Sequence, residues 1–165
     1  MSSAMTQSTP VLRRATPADS VAACALVAAT LAEFGLKPDP AGTDADLADF
    51  EANYFARGGD FVVLIDGRGV LVGTCGLYPL EGTEAPRTVE LRKMYLSPSL
   101  RGFGQGRRLL EWALARAREL GFRRMTLETA SALKDAIALY ERNGFKPDGG
   151  GSHSCRCDLA YARDL

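Results

Sequence analysis

The sequence predicts one α/β domain, a mixed and largely antiparallel sheet flanked by helices. Three observations carry that reading. Residues 89–96, VELRKMYL, alternate as a strand does, with Val89, Leu91, Lys93 and Tyr95 on one side and Glu90, Arg92, Met94 and Leu96 on the other. The strand ends at Ser97-Pro98, and a glycine loop, Arg101-Gly102-Phe103-Gly104-Gln105-Gly106, leads directly into the helix-forming LLEWALARA. Around this unit, segments of strand and helix periodicity follow one another in the order β-α-α-β-β-β-α-β-α-β-β.

The elements follow in order. Residues 1–9 read as a disordered tail and 10–165 as a single domain. Residues 11–15 are a short strand. Thr16 and Pro17 open a helix as N-cap and first helical residue, and Val21, Ala25, Ala28, Ala29, Ala32 and Leu36 recur at helical spacing until Gly35 stops it near Phe34. Thr43 or Asp44 caps a second helix carrying Leu47, Phe50, Tyr54 and Phe55, ended by Gly58-Gly59. Strands at 61–65 and 70–78 flank the hairpin signal Asp66-Gly67-Arg68-Gly69. The central strand spans 87–96, the next helix 104–120, a strand 124–129 and a helix 132–143 closed by Gly144. A short strand begins at Phe145, 148–152 is flexible, and 155–161 returns as the last strand.

Composition excludes several function classes. With 165 residues, 46% hydrophobic and 24% charged, the chain suits one soluble domain with a real core. Lys and Arg number 20, as do Asp and Glu, so the net charge is zero and no nucleic-acid partner is expected. No apolar run approaches the ~20 residues that span a bilayer, and the N-terminus has no signal-peptide pattern. The expectation is a cytoplasmic protein without a membrane partner; a homodimer is compatible with the sequence. Cys24 and Cys75 lie in apolar patterns, as small buried hydrophobes do. His153-x-Cys155-x-Cys157 has strand spacing rather than metal-ligand spacing, so no metal is expected.

The glycine loop carries the chemistry. Three glycines within five residues let backbone approach a ligand closely, and exposed amides at a helix N-terminus favour an anion such as phosphate. No Lys-Ser/Thr follows them, which argues against a nucleoside triphosphate loop. Arg101-x-x-Gly104-x-Gly106 after a strand ending in Leu-Ser-Pro resembles the acetyl-CoA pyrophosphate loop of the GCN5-related N-acetyltransferases. Ala136-Ile137-Ala138-Leu139-Tyr140-Glu141-Arg142-Asn143-Gly144-Phe145 is similar to that family's second signature. The resemblance covers roughly residues 10–147. It implies that the central strand and the next one splay apart, with the pantetheine arm of acetyl-CoA in the gap.

Amine acetylation must hold the thioester, take a proton from the amine and stabilise the leaving thiolate. Amides across Arg101, Gly102, Phe103, Gly104, Gln105 and Gly106 would bind the pyrophosphate, with Arg101 and Arg107 able to add charge. By resemblance, main-chain groups of Met94, Tyr95 and Leu96 pair with the pantetheine. Glu90, acidic on a strand otherwise rich in apolar residues, is the candidate base, with Glu128 the second choice. By resemblance, Tyr140 places its hydroxyl at the coenzyme sulfur. The family often has a coenzyme-binding asparagine where this chain has Leu133; Ser131 or Lys134 are candidates to replace it. The acceptor pocket is expected along 34–54 together with the 78–87 loop, with Phe34 and Tyr54 in its wall, and Arg92 could bind a carboxylate. The reading is acetyl transfer to a small or amino-acid-like amine by direct attack. The alternatives are a protein lysine or N-terminal amine as acceptor, a non-catalytic acyl-CoA sensor, and acyl transfer through Cys75.

Overall fold

Strand pairing sets the architecture. A computed structural model describes residues 8–82, 87–149 and 156–165. Strands β1 (Val11–Arg14), β2 (Asp60–Ile65), β3 (Leu71–Pro79), β4 (Thr88–Leu96), β5 (Arg124–Thr129), β6 (Lys146–Pro147) and β7 (Leu159–Asp164) form one sheet in the order β1-β2-β3-β4-β5-β7-β6. Every neighbouring pair is antiparallel except β4 and β5. That parallel step requires a crossover, supplied by α2 (Gln105–Glu119). The expected mixed, largely antiparallel α/β sheet is therefore present. Most of the expected tail and of the 148–152 stretch, with His153 and Cys155, lie outside the described residues.

Each face of the sheet is covered by one apolar layer. Leu109, Leu110, Ala113 and Ala117 of α2 pack on Val89, Leu91, Met125 and Leu127, together with Tyr140 of α3 (Lys134–Arg142) and with Phe145. On the other face, Ala23, Val27 and Leu31 of α1 (Ser20–Glu33) join Leu47, Phe50 and Tyr54 over Phe61, Val63 and Leu71. The buried face of α1 is not the stripe its periodicity suggested: Val21 is 82% exposed, whereas Val27 and Leu31 are buried. The helix carries no charge before Glu33, so nothing in its sequence marks an outer face.

Three other expectations change. The second helix is instead a 3-10 turn at Ala45–Ala48 and a single π-turn at Glu51–Phe55, broken at the extended Asp49. Asp49 caps the second turn, its side chain accepting from the Ala52 amide at 3.0 Å. Successive helical residues turn by about 100°, so one helix could not aim both Asp44 and Asp46 at the sheet along with Leu47, Phe50 and Tyr54. The last strand begins at Leu159, not 155, because Asp158 is bound to the amide and hydroxyl of Ser131 at 2.7 and 2.8 Å. The alternation of 89–96 is also interrupted. The β3–β4 register jumps between Thr74↔Tyr95 and Gly76↔Arg92, and Lys93 takes φ +52. This β-bulge reverses the faces. Met94 and Leu96 therefore join the α2 layer, while Lys93 and Tyr95 turn to the α1 side.

The bulge anchors the irregular 43–46 segment by charge. Lys93 Nζ donates to the Thr43 carbonyl at 2.9 Å and lies 3.0 Å from Asp44 and 3.3 Å from Asp46. Arg156 grips Asp44 with a two-pronged contact at 2.6 and 2.7 Å. Burial alone would raise the Asp44 carboxyl. The Arg156 fork, the Asp39 amide and the Lys93 ammonium together outweigh it and hold the group well below the usual carboxylate range. A carboxyl held down in the folded state stabilises the fold above its unfolded pKa and loses that contribution as pH falls toward the folded one. Asp44→Asn should therefore cost about 3–5 kcal/mol at neutral pH, the usual loss when one partner of a buried pair is removed. The gap from wild type should start to shrink below about pH 4. Urea unfolding across that range measures it; a pH-independent gap would assign the loss to packing rather than charge.

Candidate active site

The cleft begins where β4 and β5 stop pairing. Their parallel ladder runs from Thr88↔Arg124 to Leu91↔Leu127, yet both strands continue. β5 stays bonded to β7 through Glu128 and Thr129, whereas the free edge of β4 from Arg92 to Leu96 borders open space. A cavity of about 960 Å³ occupies the gap and extends between the glycine loop and the 43–46 wall. Glu90, Met94, Tyr95, Leu96, Glu128, Leu133 and Tyr140 all line it.

At one end, the loop places the start of α2 against the cleft. Gly102 and Gly104 have φ of +83 and +78, conformations that glycine adopts without penalty. Gly106 differs. Its φ is ordinary, and an added Cβ would meet only Leu139 and Leu96 at 3.5 and 3.6 Å, normal contact distances. Neither backbone conformation nor crowding within the chain requires glycine there, so the space it leaves fits a ligand resting on the helix N-terminus. The first amides of α2 have no intrahelical acceptor and point out of that end. Acetyl-CoA fits this donor set: free amides for its pyrophosphate and an open strand edge for its pantetheine.

The loop side chains divide. Arg101, Gly102 and Gly106 line the cavity, while Phe103, Gly104, Gln105 and Arg107 are not among its lining residues. Phe103 is 70% exposed. Arg107 is paired with Glu111 at 2.7 Å on the outer surface of α2. Arg101 is bound to Glu33 and to the Leu96 carbonyl. Of the candidates for the asparagine contact, Lys134 lines the cavity, and Ser131 is bonded to Asp158.

In the middle, Tyr140 reaches the cleft from α3, its ring packed edge-on against Phe145. Burial pushes its phenol far above the ordinary range, so the hydroxyl keeps its proton at neutral pH. Glu90 of β4 lines the same cavity and accepts a 2.5 Å hydrogen bond from Arg92 Nε. Desolvation also pushes the Tyr95 phenol up to about 12, against the opposing pull of Arg156. Cys75 is fully buried and burial raises its thiol, which removes the thiolate that acyl transfer through sulfur would need.

Where the acceptor pocket is expected, the cavity is lined by Thr30, Phe34, Thr43, Asn53, Tyr78 and Arg92. Arg92 lies over the Tyr78 ring with its Cζ 3.6 Å from the centroid. Tyr54, expected in this wall, lies behind it: it is fully buried, donates its hydroxyl to Asp46 and packs edge-on against Tyr78. Tyr78 begins the 78–87 loop expected in this wall; Asp46 and Arg156 were not named from sequence, and Asp44 and Lys93 only as a helix cap and a strand residue, yet all five shape this end. Among the described residues, no group of three or more His, Cys, Asp or Glu could hold a metal ion, and no helix is long and apolar enough to cross a membrane.

Comparison with known proteins agrees with this geometry. Residues 27–145 match the Acetyltransferase (GNAT) family model. The chain is 40% identical over 160 residues to the uncharacterized N-acetyltransferase YjgM of Escherichia coli, covering 94% of this chain and 95% of that one. A GNAT-family acetyltransferase from Staphylococcus aureus superposes with a TM-score of 0.84 at 23% identity, over 94% of this chain and 99% of that one. A phosphinothricin acetyltransferase from Sinorhizobium meliloti, solved in complex with AcCoA, superposes with a TM-score of 0.74 at 28% identity over 95% and 89%. The chain belongs to the GNAT family and is an N-acetyltransferase.

Proposed function

We propose that this enzyme acetylates the amine of a small, amino-acid-like molecule, with Glu90 as base and Tyr140 as proton donor to the leaving sulfur. The observation that carries the reading is that Glu90 and Tyr140 line one cavity together with Gly102 and Gly106 of the glycine loop and with Arg92. Acetyl-CoA supplies an activated acyl thioester. The free edge of β4 orients it, and the amides of the α2 N-terminus neutralise its phosphate charge. Glu90, directly or through a water, takes a proton from the acceptor nitrogen as the N–C bond forms. Tyr140, kept protonated by burial, gives its proton to the sulfur as the C–S bond breaks.

Arg92 supports an acceptor that bears an anionic group. Of the six charged side chains grouped here, Arg92 is the most exposed, at 27%, against 16% for Glu90 and 9% or less for the other four. It is held by Glu90, Asp46 and Tyr78 while still presenting to the cavity. The structural relative named for phosphinothricin is in keeping with that class of acceptor. Walls on several sides favour a small molecule over a polypeptide amine.

An amine library assayed for thiol release from acetyl-CoA, with mass spectrometry of the product, tests the reading directly. Carboxylate-bearing primary amines should dominate the hits; a preference for peptides would overturn it. With an active acceptor, Tyr140→Phe and Glu90→Gln should each lower turnover by about 10²–10⁴ while coenzyme affinity stays near wild type. The acid limb of the wild-type pH profile should disappear in Glu90→Gln. Arg92→Met controls for the lost ion pair: it should raise the KM for the acceptor more than it lowers kcat. Gly106→Val should weaken acetyl-CoA binding by more than about tenfold with little change in thermal midpoint, since its cost falls on ligand space rather than on the fold. Unchanged affinity by calorimetry would remove the loop from the phosphate site.

A further inference from the structure

Arg101 has the position of a phosphate ligand but not the contacts of one. Its Nη1 donates to Glu33 Oε2 at 2.6 Å, and its Nη2 donates to Glu33 Oε1 at 3.0 Å and to the Leu96 carbonyl at 3.0 Å. Its Cζ stands 5.9 Å from the centroid of the Phe34 ring. These partners come from two elements. Glu33 is the last residue of α1, whose Thr30 line the acceptor end together with the adjoining Phe34. Leu96 is the last residue of β4, the strand with the free edge, and its side chain lies beside Gly106 at the start of α2. One guanidinium thus joins the acceptor wall, the coenzyme strand and the glycine loop.

We infer that Arg101 and Glu33 form a bracket that positions the end of β4 for the pantetheine arm, and that Arg101 is a positioning residue rather than a ligand of the phosphates. The inference rests on the acetyl-CoA use proposed above and is independent of the acceptor. The ion pair is about one-third exposed on both sides, so it contributes little to overall stability. Its effect is geometric. A planar fork can satisfy a carboxylate and a carbonyl together, which fixes the distance between α1 and β4. A carbonyl has a second lone pair, so Leu96 can accept from Arg101 and still pair with the coenzyme.

The two roles separate on a donor that has no phosphates. Affinity for acetyl-CoA, by calorimetry, and for S-acetylpantetheine, by ligand-observed NMR, should be measured for wild type, Arg101→Met, Arg101→Lys, Glu33→Gln and the double variant Arg101→Met/Glu33→Gln. The bracket predicts that Arg101→Met and Glu33→Gln each weaken both ligands by a similar factor, roughly 3- to 10-fold, with unchanged thermal midpoints. The double variant should be no weaker than the worse single, because both substitutions break one unit. Arg101→Lys should not rescue, since an ammonium cannot fork. A loss confined to acetyl-CoA, restored by lysine, would make Arg101 a phosphate ligand and overturn the inference. So would a Glu33→Gln variant with wild-type affinity for both donors. Wild-type protein that bound neither donor would overturn the coenzyme reading as well.

Discussion

The bulge at Arg92–Lys93 is the constraint on which the rest of the site depends. A non-glycine residue in the left-handed region costs roughly 1–2 kcal/mol, so something must hold it there. Lys93 is held at both ends: Thr74 Oγ1 donates to its carbonyl at 2.7 Å, and Thr43, Asp44 and Asp46 surround its ammonium. The consequence for β4 is a change of face. Before the bulge, Val89 and Leu91 pack under α2; after it, Met94 and Leu96 do. The parallel ladder to β5 ends one residue before the slip, at Leu91↔Leu127. One irregularity therefore opens the coenzyme gap and aims a cation at the acceptor wall.

That cation explains how charge can be buried in a chain whose net charge is zero. Asp44, Asp46 and Glu90 are matched by Lys93, Arg92 and Arg156. Pairing inside the cluster offsets much of the desolvation that any one of these groups would suffer alone. Tyr54 completes it: burial and the neighbouring Asp46 carboxylate push its phenol well above the ordinary range, so it remains a donor to Asp46. The wall needs these contacts because the 43–46 segment lacks the hydrogen-bond ladder of a full helix. Its position is set from the side by charge and from beneath by Leu47, Phe50 and Tyr54.

The sheet, the α2 crossover and the glycine loop were legible in the sequence because each rests on local chemistry: alternation, turn residues, and apolar spacing with a glycine stop. The two-turn wall was not, because the break lies at the extended Asp49, whose side chain accepts from the Ala52 amide, and apolar spacing alone cannot report that. The face of α1 was hidden for a different reason, since a helix of alanines and valines has no polar side to contradict a wrong choice. The bulge did leave a trace. A lysine in register with Val89 and Leu91 on an apolar face is a conflict between local pattern and burial, and such conflicts tend to mark functional or strained sites. Asp44, Arg156 and Lys93 meet only through tertiary structure, the first two 112 positions apart, so no spacing rule could have grouped them.

The two ends of the cleft solve recognition by different means. At the coenzyme end the proposed binding groups are the α2 N-terminal amides and the free edge of β4, all main chain. Their placement depends on loop conformation, on Gly102 and Gly104 at positive φ, and on the ladder that stops at Leu91, not on which side chains the strand carries. At the proposed acceptor end the groups are side chains from separate elements, Phe34 at the end of α1, Asn53, Tyr78 of β3 and Arg92 of β4, with Arg92 held by Glu90 and Asp46. A change of side chain there alters what is recognised without touching the backbone that holds the thioester. Substitutions in the acceptor wall are therefore free to change the substrate as long as Lys93 keeps its carboxylates, whereas the coenzyme end can change little without losing the strand edge. The functional freedom of this fold lies on the side of the bulge where the sequence is least periodic.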